Sequence, residues 1–180
     1  MQTKMKIEKE TIGKIKTQKT LPHIKKEELI NYYDNTWDLF FLLLSKYYEI
    51  MDTVAEDNFT DSQHTLMAYN ILYGEITTGG FLQLIKNGHG NYIFESLFSE
   101  TLKKWGAIEM AVQIDKAKKI YFENKEELEI ARTTEDLFDM YPNYPEFNFL
   151  DKEFFRVMNS ESDKIKIYIQ QNIHDFAIVA

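Results

Sequence analysis

The sequence predicts an all-α fold, a single compact domain of roughly eight to ten short helices behind a basic N-terminal tail. Three observations predict it. Seven Gly and three Pro in 180 residues are too few for a turn-dense sandwich or propeller. Apolar residues make up 44% and aromatics 14%, enough to fill a packed core. A domain of this length buries roughly 70% of the surface its unfolded chain exposes. Along most of the chain those apolar residues recur at helical spacing instead of alternating.

Residues 1–22 are read as the tail and residues 23–180 as the domain. The run Lys4-Met5-Lys6-Ile7-Glu8-Lys9 has little to bury, so the tail is expected to be flexible, and Pro22 ends it. Beyond it, Leu29, Tyr33, Trp37, Phe40, Leu44, Tyr47 and Met51 keep helical spacing. The Asp34-Asn35-Thr36 cluster breaks that pattern into a hairpin, with Asn35 capping its second helix. After the polar Glu56-Asp57-Asn58, Thr60 and Gln63 form a capping-box pair ahead of a buried face of Leu66, Tyr69, Leu72, Tyr73 and Ile76. Gly79-Gly80 interrupts the pattern, Phe81, Leu82, Leu84 and Ile85 restart it, and Asn87-Gly88 stops it.

Asn91 is expected to cap one helix carrying Phe94, Leu97, Phe98 and Leu102, closed by Gly106. Ile108, Ala111, Val112, Ala117, Ile120 and Tyr121 mark another. Asn124 with Glu127, and Thr133 with Asp136, read as two further helix starts. Tyr141-Pro142-Asn143-Tyr144-Pro145 reads as an aromatic-anchored loop. Leu150, Phe154 and Val157 predict a short helix. Ser160 and Asp163 open a last one, with Ile165, Ile169, Ile173 and Phe176 inward. Ile165 to Ile169 also alternates like a strand, but helical spacing continues past it, and helix is retained.

The formal charge of −8 is unevenly spread. Residues 1–26 hold eight Lys and two Glu, whereas residues 27–180 carry 13 basic and 27 acidic side chains, a balance of −14. The body is therefore expected to repel nucleic acid, whose binding rests on Lys and Arg displacing counterions. It is expected to attract a basic protein surface instead. With no Cys, a disulfide framework, a thiolate metal site and a thiol nucleophile are excluded. Met1 to Thr20 lacks the apolar run of a secretory signal, and the stretch Leu39 to Leu44 is far too short to span a bilayer. A cytoplasmic protein with no membrane partner is expected.

Catalytic signatures are absent. The four His, at 23, 64, 89 and 174, form no H-x-x-x-H pair, and no phosphate loop, dinucleotide fingerprint or nucleophile elbow is present. His89, between Gly88 and Gly90, reads as part of a helix end and turn. No enzyme activity, cofactor or metal is expected. Two acid-rich segments remain. Glu49, Asp52, Glu56, Asp57 and Asp61 stand with no Lys or Arg among them. Glu123, Glu126, Glu127, Glu129, Glu135, Asp136 and Asp139 stand against Lys125 and Arg132. On a helix, carboxylates three or four residues apart lie about 5–6 Å from one another, a spacing at which a row of them imitates backbone phosphates. The same acids also fit solvated helix faces, and only the fold decides whether they form one surface.

The central stretch carries a motif: Tyr69 to Gln83 with Gly79-Gly80-Phe81, then Asn87 and Gly90, then Trp105-Gly106-Ala107 ahead of an Ala-rich helix. Physically, the Gly pair permits a sharp turn between helices or close packing, Phe81 plugs the core beside it, and Asn87 and Gly90 finish the next helix. With the closing Leu150-Asp151, Phe154-Phe155, Tyr168-Ile169 and Asn172 to Phe176, this pattern over residues 30–178 resembles the bacterial DNA mimic protein nineteen family. The resemblance implies an all-α, non-catalytic protein whose surface acids occupy the DNA-binding face of a helix-turn-helix regulator. Related domains resemble immunity proteins that neutralise toxins, so a basic nuclease toxin is the alternative partner. A homodimer is left open.

Overall fold

The computed structural model describes residues 19–130 and 139–180, and its regular structure is almost all helix. A two-residue strand, β1 (His23–Ile24), precedes α1 (Lys26–Tyr32) and α2 (Thr36–Met51). A 3-10 turn over Glu56–Asn58 leads into α3 (Asp61–Lys86), followed by α4 (Gly90–Phe94), α5 (Phe98–Lys104) and α6 (Ile108–Glu123). Then come α7 (Lys125–Leu128), α8 (Pro145–Gln171), a 3-10 turn over Ile173–Asp175 and β2 (Ile178–Val179). Eight α-helices thus form among the described residues, at the lower edge of the expected number, and two of them are long. None of the described helices is long and apolar enough to cross a membrane.

The helix starts follow local chemistry. Asn35 Oδ1 accepts from the backbone N–H groups of Trp37 (2.9 Å) and Asp38 (3.1 Å), the cap expected of it. Thr60 and Gln63 close both arms of their capping box, at 3.1 Å and 2.8 Å. The chain bends inside α3: Gly79 lies at φ −157°, ψ 17° and Gly80 at φ 77°, ψ −174°, so the helix consists of two limbs. After the bend the second limb and α4 return along the first, and the Tyr92 hydroxyl donates to the His64 carbonyl at 3.2 Å.

The core lies between α8 and the helices packed on it, α6, α3 and α2. Phe81, Phe94, Phe147 and Phe154 meet there, all fully buried, with Phe81 ring centroids 6.2–6.5 Å from the other three. The ends of the described chain are joined. β1 and β2 pair in parallel, with Ile178 N–H donating to Pro22 O at 2.8 Å and Ala180 N–H to Ile24 O at 3.1 Å. Just ahead of β1, Lys19 Nζ donates to the Phe59 carbonyl at 2.7 Å.

Several local expectations are corrected, the first at Gly90, which opens α4 instead of finishing the helix before it. Asn91 does not cap a helix through Leu102. α4 ends at Phe94, α5 starts at Phe98, and Leu97 between them is 74% exposed instead of facing inward. The Asn91 side chain accepts from the Tyr121 hydroxyl at 2.7 Å, a tertiary bond in place of a local one. Asn124 precedes α7 but turns its amide back to the Ile120 carbonyl (2.9 Å) and caps nothing. The two C-terminal helices are one. Pro145 opens α8, no Gly or Pro follows until its end, and Ser160 Oγ bonds the Val157 carbonyl within the helix. Ile173 and Phe176 lie beyond that helix, and Phe176 is still buried. The start expected at Thr133 and Asp136 lies outside the described residues.

Candidate acidic interface

The first acidic segment wraps from the end of α2 to the start of α3. Glu49 is exposed and 3.5 Å from Lys46 on its own helix. Asp52 follows α2, Asp57 sits in the 3-10 turn and Asp61 opens α3, and all three are exposed with no ion pair among the described residues. Glu56 starts that turn, and its side chain is not described.

The second segment begins at the end of α6. Glu123 is exposed, 3.9 Å from Lys119, and Glu129 is 3.9 Å from Lys125. Glu126 and Glu127 are exposed on α7, and Asp139 is exposed ahead of α8. Glu135 and Asp136 lie outside the described residues. The segment is thus partly interleaved with lysine. Such exposed pairs contribute about 0–1 kcal/mol each and are screened by salt, so a strongly basic partner can displace them.

The link from α4 to α5 meets residues of both regions. Asp61, Ser96 and Leu97 border one cleft of 480 Å³. One residue before Ser96, Glu95 takes the Lys125 ammonium at 2.5 Å, and Lys125 opens the helix that carries Glu126 and Glu127. The link thus shares a cleft with Asp61 and reaches the first residue of α7 through an ion pair. Glu95, in no acidic run, was missed by reading the sequence. Only the return of the chain after Gly80 puts it beside Lys125.

The glycine motif builds the bend inside α3. Gly79 and Gly80 free the first N–H groups of the second limb, and Asp151 from α8 supplies the cap: its Oδ1 accepts from Phe81 N–H at 2.9 Å. The Tyr141 hydroxyl bridges the Gly79 carbonyl (2.9 Å) and Asp151 Oδ2 (3.0 Å). A Cβ on Gly80 would run into both side chains. Burial pushes the Asp151 carboxyl above the usual carboxylate range, and the two hydrogen bonds that favour its ionised form offset only part of that. Asn87 ties the end of the second limb back to the first through Glu75 Oε2 (2.8 Å), which also accepts from Gln83 Nε2 at 3.0 Å. At Gly90 a Cβ would meet the Tyr121 ring edge at 2.8 Å. The motif residues are thus structural.

Of the histidines, His64 lines the cleft beside Asp61. His89 Nε2 is 3.6 Å from Glu75 Oε1, and His174 is exposed beside Asp175, but neither lines a described cleft. Among the described residues no group of three or more His, Asp or Glu is placed to hold a metal ion.

A helical domain with a doubled-back central helix, structural glycines and an acid-rich surface defines the class. The chain belongs to the DMP19-like protein family, whose model matches residues 57–172, from the turn ahead of α3 to the end of α8. It is 29% identical over 143 residues to DNA mimic protein DMP19 of Neisseria meningitidis serogroup B (strain ATCC BAA-335 / MC58), covering 77% of this chain and 87% of that protein. The matched family span is shorter than the resemblance read over residues 30–178 and leaves out α1, α2 and both strands.

Proposed function

We propose that this chain is a non-enzymatic binding protein that occupies a basic, DNA-binding partner, such as a helix-turn-helix regulator, by presenting carboxylates where DNA presents phosphates. The observation that carries the reading is that Asp52, Asp57 and Asp61 of the first segment and Glu126 of the second are exposed and make no ion pair among the described residues. The relative named a DNA mimic supports it. Partners that bind phosphate with Lys and Arg are drawn to such a surface over a distance set by the Debye length. The interface residues assigned are those of the two segments, Glu49 to Asp61 and Glu123 to Asp139, joined by Glu95.

The test is binding to a basic helix-turn-helix protein across a salt series, with duplex DNA as competitor. Affinity is expected to fall by roughly tenfold as the Debye length shrinks from about 30 Å at 0.01 M salt to about 8 Å at 0.15 M. DNA should displace the protein. Joint reversal of Glu126, Glu127 and Asp139 to Lys should abolish capture from a native lysate. Binding indifferent to salt, or shared with DNA in a ternary complex, contradicts the mimicry. Capture of a basic nuclease in place of a regulator moves the reading to an immunity protein.

A further inference from the structure

Asn87 and Gly88 form the one Asn-Gly step in the chain. At such a step a side-chain amide lies open to its own backbone, because glycine leaves the following nitrogen unshielded by a Cβ. Both residues are exposed at the end of α3, and a Cβ on Gly88 would meet nothing within 4 Å among the described residues, so water reaches the turn. The two nitrogens that would react are nevertheless tied down. Gly88, at φ 84°, closes a Schellman turn: its N–H donates to the Ile85 carbonyl at 2.9 Å, and the His89 N–H donates to the Leu84 carbonyl at 3.1 Å. The Asn87 side-chain nitrogen donates to Glu75 Oε2 at 2.8 Å.

Glu75 is the hub of this corner. It stands on the first limb of α3 and accepts from Gln83 on the second limb and from Asn87 at its end, while its Oε1 lies 3.6 Å from His89 Nε2. An ionised carboxylate only accepts, so the latch depends on residue 87 offering an N–H. A carboxylate at position 87 would set two acceptors of like charge face to face with no hydrogen between them.

We propose that Asn87 is a self-modification site, an asparagine whose deamidation is gated by the Glu75 latch and whose product undoes that latch. The co-reactant is water. The Gly88 nitrogen gives its proton to hydroxide and attacks Cγ of Asn87. The new C–N bond closes a five-membered imide as the Cγ–Nδ2 bond breaks, and the departing nitrogen takes a proton from water and leaves as ammonia. Water then opens the imide at either carbonyl, which leaves aspartate or isoaspartate at position 87. Nothing is oxidised or reduced. In the folded protein the first step requires the Gly88 and Asn87 hydrogen bonds to open, a local event instead of global unfolding. The product side chain has no N–H to return to Glu75, so the change runs one way. The inference stands apart from the mimic reading, since neither step involves a partner.

The test incubates the full chain at neutral and mildly alkaline pH and follows residue 87 by peptide mass spectrometry and an isoaspartate assay. Asn87 should convert, faster at the higher pH because its attacking nitrogen must lose a proton. The folded rate should be at least about tenfold below that of the urea-unfolded chain, the factor for an opening cost of about 1.4 kcal/mol. Glu75→Ala should raise the folded rate several-fold. Thr60→Ala, which loosens the opposite end of α3, controls for general loss of stability and should react like wild type. Asn87→Asp should lower the thermal midpoint, and adding Glu75→Gln, which returns an N–H to the pair, should recover part of the loss. The assignment is overturned by conversion in neither wild type nor Glu75→Ala, or by a folded rate equal to the unfolded one. A Thr60→Ala protein that reacts as fast as Glu75→Ala, or an Asn87→Asp midpoint equal to that of wild type, overturns it as well.

Discussion

Gly80 and Asp151 show how a single backbone position is held from far along the chain. At φ 77°, ψ −174° Gly80 occupies a region essentially reserved for glycine, and its missing Cβ is the space taken by Tyr141 and Asp151. Gly80→Ala is expected to lower stability by about 3 kcal/mol or more, through strain and collision together, read as a shifted urea midpoint. An unchanged midpoint contradicts the geometry. Asp151 adds a pH signature. Its pKa is raised in the folded state, so its contribution is fully present below the ordinary carboxylate range and is lost as pH rises through the raised value. The unfolding free energy of the wild type minus that of Asp151→Asn should therefore be largest below about pH 4 and decline towards neutrality, measured by urea titration at several pH values. A difference that grows with pH reverses the assignment. The glycine pair was legible because two adjacent glycines are poor helix formers in the middle of a helical pattern. Its partner was not, since the Asp151 cap lies 70 residues away from Phe81 and nothing local marks it.

At the scale of elements, caps that act within four residues were readable and those that act across the fold were not. The Thr60–Gln63 box formed as its spacing dictates, and Thr60 Oγ1 additionally donates to the Asp175 carbonyl at 3.2 Å. Thr60→Ala removes the Oγ1 arm of the box and the bond to Asp175, leaving the backbone arm to Gln63, and should cost about 1–2 kcal/mol, seen as a lower thermal midpoint with unchanged helix content by circular dichroism. Asn91 and Ser160 looked like caps by residue type alone. Asn91 is claimed by Tyr121 and Ser160 by its own helix, and residue type cannot reveal such competition. The break between α4 and α5 escaped detection for a related reason. Leu97 fits the helical period on paper, yet it stands exposed in the link.

For the molecule as a whole, the uneven charge was plain from composition, while its arrangement was set by the reversal of the chain at Gly80. Both acidic runs were visible as sequence. Glu95 was invisible as part of them, although the return of α4 places it against Lys125 at the foot of α7. If the surface works as one unit, Glu95→Lys should weaken capture of the basic partner about as much as Glu126→Lys does, despite belonging to neither run. Surface plasmon resonance of the two variants side by side checks this, and a Glu95→Lys protein that binds like wild type confines the contact to the runs themselves. The core legibility was higher, because Phe81, Phe94 and Phe154 all fell at helical spacing and all are fully buried.

The parallel ladder that ties Pro22 and Ile24 to Ile178 and Ala180 has a mechanical consequence. Its strands run in the same direction, so Pro22 enters the ladder at one pole and Ala180 stands at the other. Tension applied through those ends slides one strand along the other instead of peeling them apart. The rungs then share the load.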